Sequence, residues 1–232
     1  VYEVVWTRWL SLTFGITVFA TSIVLAAFMA GLGLGSWLVA RRVDRSPNPL
    51  RIYALLETGI GIYALLVPTI FRSLEPLYVA VAGPLEGHFL LFNLVRASIA
   101  FAVLLVPTTM MGGTVPAMGR YLVAQRATVG WDVGLLYAMN TVGAVVGCVV
   151  AGFVALPAIG ISHTVLLTAV TNVTIGVALL ASGAGRVGET PLGRATVDAP
   201  AGDRGHVRLA ALVFAASGFS ALAYEVVWTR VL

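Results

Sequence analysis

The stretch WLSLTFGITVFATSIVLAAFMAGLGLGSWLVA, residues 9–40, runs for 32 residues without a charged side chain. A helix needs about 20 mostly apolar residues to cross the hydrocarbon layer of a bilayer. This stretch therefore predicts one span with an interfacial shoulder. Four more apolar runs have the same character. Residues 51–71 are interrupted by Glu57 and residues 89–111 by Arg96. Residues 133–185 contain no Asp, Glu or Arg and are long enough for two spans, with LPAIGIS (156–162) as the turn between them. A further run opens at residue 209. The expected fold is all-α, a polytopic transmembrane bundle of about six helices.

Composition agrees. Apolar residues make up 59% of the chain, charged residues 10%, and mean hydropathy is +0.96. Soluble domains average about 25% charged residues. All 14 basic residues are Arg, and they stand between the apolar runs rather than on one amphipathic face. Their placement points to membrane topology and to a lipid bilayer as partner, not to nucleic acid. The single Cys148 and the scattered His88, His163 and His206 show no metal-ligand spacing, so no metal and no cofactor is expected in this segment.

The loops set the orientation. Residues 41–51, 112–132 and 182–208 carry four, two and four arginines, ten in all. The alternate side has three: Arg8, Arg72 and Arg230. The positive-inside rule assigns the rich side to the cytoplasm, and the inner (plasma) membrane is the expected location. YEVVWTR occurs at 2–8 and again at 224–230, an offset of 222 residues. Both copies fall on the outer side, so the repeat is parallel rather than inverted. The expected organisation is a first membrane repeat lacking its first helix (1–182), a cytoplasmic linker (183–206) and the start of a second repeat (207–232).

Two parallel six-helix halves joined by such a linker resemble the major facilitator superfamily. GSWLVARRVDRSPNPLR (35–51) is similar to that superfamily's cytoplasmic loop signature at Gly35, Asp44, Arg45 and Arg51. More of the chain resembles the membrane portion of the fused major-facilitator/spermidine-synthase-like family. The motifs are AAFMAGLGLGSWLVARRVDR, ALLETGIGIYALL, PTTMMGGTVPAMGRYL, VGLLYAMNTVGAVVGCVVAGFVALPAIG and SGFSALAYEVVWTRVL. That resemblance implies a transport-type module that moves or senses a small cation such as a polyamine. The alternative is a non-transporting membrane scaffold for an aminopropyltransferase-like domain outside this chain. Either way the partners are the remaining membrane repeat and that domain. No nucleophile–base pair or phosphate loop occurs here, so no catalytic residue is assigned.

Several residues are candidates for binding. Glu57 sits inside an apolar span with Tyr53 and Gly61 one turn to either side. An intramembrane carboxylate is costly unless protonated, paired or facing water. It either lines a cavity as a cation- or proton-binding acid or ties two helices together. Arg96 is expected to reach an internal partner such as Glu57, or else to snorkel outward. Asn140 bonds across helices or contacts a ligand. Glu3 and Arg8, with Glu225 and Arg230 in the second copy, mark an outer hairpin or gate. Tyr2 and Trp6 share a helix face and are expected to anchor at the outer boundary. In GLGLGS (31–36), Gly31 and Gly35 read as a helix-packing step rather than a nucleotide loop, because no strand precedes them. Gly143 and Gly147 form a second such step.

Overall fold

The structure, a computed structural model, describes residues 1–14, 17–74, 76, 89–125 and 129–182. It consists of α1 (Tyr2–Phe14), α2 (Thr17–Val43), α3 (Pro49–Ser73), α4 (Phe89–Gln125), α5 (Val129–Val149), a π-helical turn (Val150–Ala155) and α6 (Leu156–Ala181). Among the described residues there is no strand. Four segments are long and apolar enough to cross a membrane: Val18–Val43, Pro49–Ser73, Leu91–Tyr121 and the 45-residue Tyr137–Ala181. The chain is thus an all-α bundle and a multi-pass membrane protein. The sixth predicted span, the 183–206 linker and the second copy of the heptapeptide lie outside the described residues.

The single span expected within residues 9–40 is present as Val18–Val43, and residues 9–14, ahead of it, belong to a separate helix, α1. No charge marks this boundary. The sequence offers only Gly15 as a breaker, and a lone glycine is tolerated inside many apolar helices.

α2 and α4 form the tightest pair, and small residues explain why. A Cβ on Gly31 would overlap the Thr108 side chain, and one on Gly35 would overlap the Thr109 carbonyl. Their absence lets the backbones meet, the use of small residues expected in membranes. Thr108 is fully buried, and its hydroxyl lies 3.0 Å from the Ala27 carbonyl and 2.8 Å from the Leu104 carbonyl, so its one proton is shared between α2 and its own helix. The Ser36 hydroxyl donates to the Gly112 carbonyl at 2.9 Å. Residues 27 to 36 thus meet 108 to 112 in ascending order, so α2 and α4 run parallel.

α3 begins with Asn48, whose side chain accepts from the Arg51 N–H at 2.9 Å, followed by Pro49 at the first helical position. Such a cap satisfies one of the orphan N–H groups of the first turn. α3 runs antiparallel to α4: Gly59 faces Met110, and the Tyr63 hydroxyl donates to the Val103 carbonyl at 3.0 Å. α6 is antiparallel to α3, with Gly61 against Ala169 and Val173, and Gly176 against Ala54 and Thr58. α5 runs with α3, from Asn140 beside Glu57 to Gly147 beside Val1. The chain must therefore reverse between α5 and α6. It does so at Gly160, whose φ of 73° and ψ of 177° break the helix within the segment expected to turn. The directions of α2 to α6 alternate strictly.

The second glycine step behaves differently from the first. A Cβ on Gly143 would meet nothing within 4 Å, and Gly147 approaches only Val1 at 3.4 Å. α5 is exposed from Tyr137 to Val149 except at Gly147, so among the described residues this step joins no pair of helices.

Candidate functional site

Glu57 lies eight residues past Pro49, about 12 Å along α3. It is half-buried, and the hydroxyl of Tyr53, one turn earlier, interacts with its carboxylate. Both side chains line a cavity of about 290 Å³. Thr114, Val115 and Met118 of α4 form the second wall, and Tyr137, Met139 and Asn140 of α5 form the third. Glu57 and Asn140 are therefore brought together from helices more than 80 residues apart. Tyr2 of α1 is close enough to Glu57 to interact with its charge. Its hydroxyl is buried and has no hydrogen-bond partner among the described residues.

Arg96 is not part of this arrangement. Glu57 faces α4 at Thr114, and Arg96 lies 18 residues earlier on that helix, about 27 Å away. Its guanidinium instead stands 5.4 Å from the Phe92 ring centroid, one turn back. The expectation of a Glu57–Arg96 partnership fails because α3 and α4 are antiparallel with 56 opposite 113. Arg96 is thereby left near the opposite end from Glu57. Gly61, on the same face as Glu57, packs against α6 and does not line the cavity.

The first heptapeptide is also corrected. Tyr2 and Trp6 do share a face, stacked at 5.2 Å, but they are 6% and 2% exposed. Trp6 packs on Phe28 at 5.7 Å and Trp9 on Phe71 at 4.7 Å. They are core side chains rather than interfacial anchors, because α1 is sandwiched against α2, α3 and α6. Glu3 and Arg8 lie on the opposite arc, where they line a separate cavity of about 730 Å³. Of the loop signature, Gly35 is buried at the α2–α4 contact, while Asp44, Arg45 and Arg51 are exposed around the short α2–α3 connection. Arg41 stacks over Trp37 at 4.2 Å. Glu225 and Arg230 lie outside the described residues.

Two cavity residues, Tyr137 and Thr114, are not among the sequence candidates. Tyr137 stands three positions before Asn140 and so shares its helix face, a signal the sequence does carry. Thr114 carries none, because its place depends on how α4 packs. Among the described residues, no three His, Cys, Asp or Glu side chains converge as a metal site would need.

Comparison of the chain with protein-family models, curated proteins and solved structures finds no match. The fold and cavity define the class: a multi-pass helical membrane protein with the Glu57 carboxylate on a largely apolar cavity between α3, α4 and α5.

Proposed function

We propose that this chain is the membrane region of a transport-type protein in which Glu57 binds a small organic cation. The observation that carries this reading is the convergence of Glu57, Tyr53 and Asn140 on one cavity within apolar helices. A carboxylate kept in such a place is a functional hypothesis by default. It offers an ammonium a countercharge, the Asn140 amide offers an acceptor, and Tyr53 and Tyr137 offer aromatic faces suited to a cation. The sequence resemblance to the fused major-facilitator/spermidine-synthase-like family makes a polyamine the first substrate to test. The same resemblance motivates an inner-membrane location with residues 183–206 on the cytoplasmic side, and a second six-helix half against which this one rocks.

The test is spermidine uptake into proteoliposomes carrying the full-length protein, with Glu57→Gln and Tyr53→Phe beside the wild type. Glu57→Gln is expected to lower uptake at least about tenfold, the loss of one charge-assisted contact, and Tyr53→Phe to lower it less. Unchanged uptake by a well-folded Glu57→Gln protein refutes the role of Glu57. Absence of uptake in the wild type favours the membrane-scaffold alternative.

A further inference from the structure

The arginine-rich end of the bundle holds a charged group that the Glu57 cavity does not use. Gly113 of α4 lies against Val39 of α2 and Leu56 of α3. Seven residues make almost two helical turns, about 10.5 Å, and return to within about 20° of the same face. Arg120 stands seven residues after Gly113, and Pro49 stands seven before Leu56. Because α3 and α4 are antiparallel, Arg120 reaches the level of the first turn of α3. α2 runs parallel to α4 and ends at Val43, close to that level. Arg120 is therefore placed beside the short connection between α2 and α3. It is partly buried, its Nη1 is buried outright, and that nitrogen has no hydrogen-bond partner among the described residues. A buried charged donor is costly to leave unpaired.

The surroundings say what kind of acceptor fits. Arg41, Arg42, Arg45 and Arg51 flank the same connection and are exposed, while Asp44 is the one acid among residues 41–51. This is a strongly positive patch, suited to an anion. It also adjoins apolar surface: Leu34, Trp37 and Leu38 of α2 are exposed just inside it. Arg41 stacks over Trp37 at 4.2 Å, and tryptophan favours the headgroup level of a bilayer. Guanidiniums pair well with phosphate, which accepts from several donors at once. Basic pockets between transmembrane helices are suited to such headgroups.

From this geometry we infer that the end of the bundle formed by α2, α3 and α4 binds the phosphate of an anionic phospholipid, with Arg120 donating to it. Its acyl chains lie along the exposed apolar side of α2. A soluble phosphate offers the same oxygens, but only a lipid uses the apolar flank as well. The inference does not rest on cation binding at Glu57.

The experiment is native mass spectrometry of the full-length protein in detergent, titrated with phosphatidylglycerol or phosphatidylcholine, with inorganic phosphate as competitor. The wild type is expected to bind phosphatidylglycerol at least about tenfold more tightly than phosphatidylcholine, and a millimolar excess of inorganic phosphate is expected not to displace it. Arg120→Gln is expected to weaken phosphatidylglycerol binding about tenfold, the loss of one charge-assisted contact, and to leave phosphatidylcholine unchanged. Arg120→Lys should retain part of the preference, and Arg72→Gln, at the opposite end of α3, all of it. The proposal is overturned if the wild type shows no preference between the two lipids, or if Arg120→Gln keeps the preference intact. It is overturned too if exposed Arg42→Gln lowers the preference as much as Arg120→Gln, which would mean diffuse attraction to a basic surface. Displacement by inorganic phosphate would assign the site to a soluble anion and overturn the lipid. Should Arg120→Gln fail to fold, the lipid and phosphate titrations of the wild type and of Arg120→Lys decide the matter.

Discussion

Three glycines in GLGLG (31–35) occupy alternating positions on α2, and the structure assigns them unlike roles. Gly31 and Gly35 face α4 at its closest approach, while a Cβ on Gly33 would meet nothing within 4 Å. An alanine at Gly35 would place its methyl on the Thr109 carbonyl, 2.8 Å from that carbon and 2.9 Å from the Gly113 nitrogen. Ordinary contact begins at about 3.5 Å between carbons, so the backbones must part by roughly an ångström. A gap of about 0.5–1 Å forfeits a quarter to a half of the dispersion attraction it opens. Overpacking of this kind costs about 1–3 kcal/mol. The same shift stretches the Ser36–Gly112 and Thr108–Ala27 hydrogen bonds, now 2.9 and 3.0 Å, each worth about 0.6 kcal/mol between membrane helices. Gly35→Ala is therefore expected to destabilise by about 2–4 kcal/mol and Gly31→Ala comparably. Gly33→Ala should be neutral or stabilising by up to about 1 kcal/mol through helix propensity. Unfolding by SDS titration in mixed micelles, followed by circular dichroism, measures all three. Equal effects at 31, 33 and 35 would refute the packing account, as would a Gly35→Ala protein as stable as the wild type.

Gly160→Ala should destabilise by about 1–2 kcal/mol, because its φ of 73° places an L-residue in the left-handed region while a Cβ has no neighbour to clash with. The same SDS titration reads it, and a neutral result would mean that the chain does not reverse there. Tyr63→Phe removes the 3.0 Å bond to Val103 and should cost only about 0.6 kcal/mol, with α3–α4 packing otherwise kept. A loss above roughly 2 kcal/mol would show that the hydroxyl holds more than one carbonyl.

The helices were legible because burial in lipid demands long apolar runs, and 51–71 and 89–111 each coincide with much of a helix. The boundary inside 9–40 was not legible, because apolarity continues across it and neither side carries a charge or proline. A length of 32 residues was the one numerical hint, since about 20 suffice for a span. The alternation of helix directions followed from the arginines between runs, and the tertiary contacts give the same relative directions. The glycine steps separate for a related reason. Spacing alone shows which residues share a face, but not whether another helix lies against it. Gly31 and Gly35 meet α4 at Thr108 and Thr109. Gly143 has the same spacing to Gly147 and meets nothing within 4 Å.

The site shows the same division between what lies along one helix and what lies across several. Tyr53 with Glu57 is an i, i+4 pair, readable from the sequence and present in the structure. Pairing Arg96 with Glu57 from the sequence treats two spans as rulers laid side by side. Depth depends on where each helix starts, and α4 continues to Gln125, well past the apolar run that defined it. The extra length moves Glu57's neighbours to Thr114 and Met118, and the carboxylate faces a cavity lined mainly by apolar surface instead of a guanidinium. A Glu–Arg pair would have been electrostatically closed and indifferent to an added cation. The cavity that Glu57 lines has two tyrosines and an amide but no arginine among its lining residues, and that difference makes Glu57 worth testing by exchange for Gln.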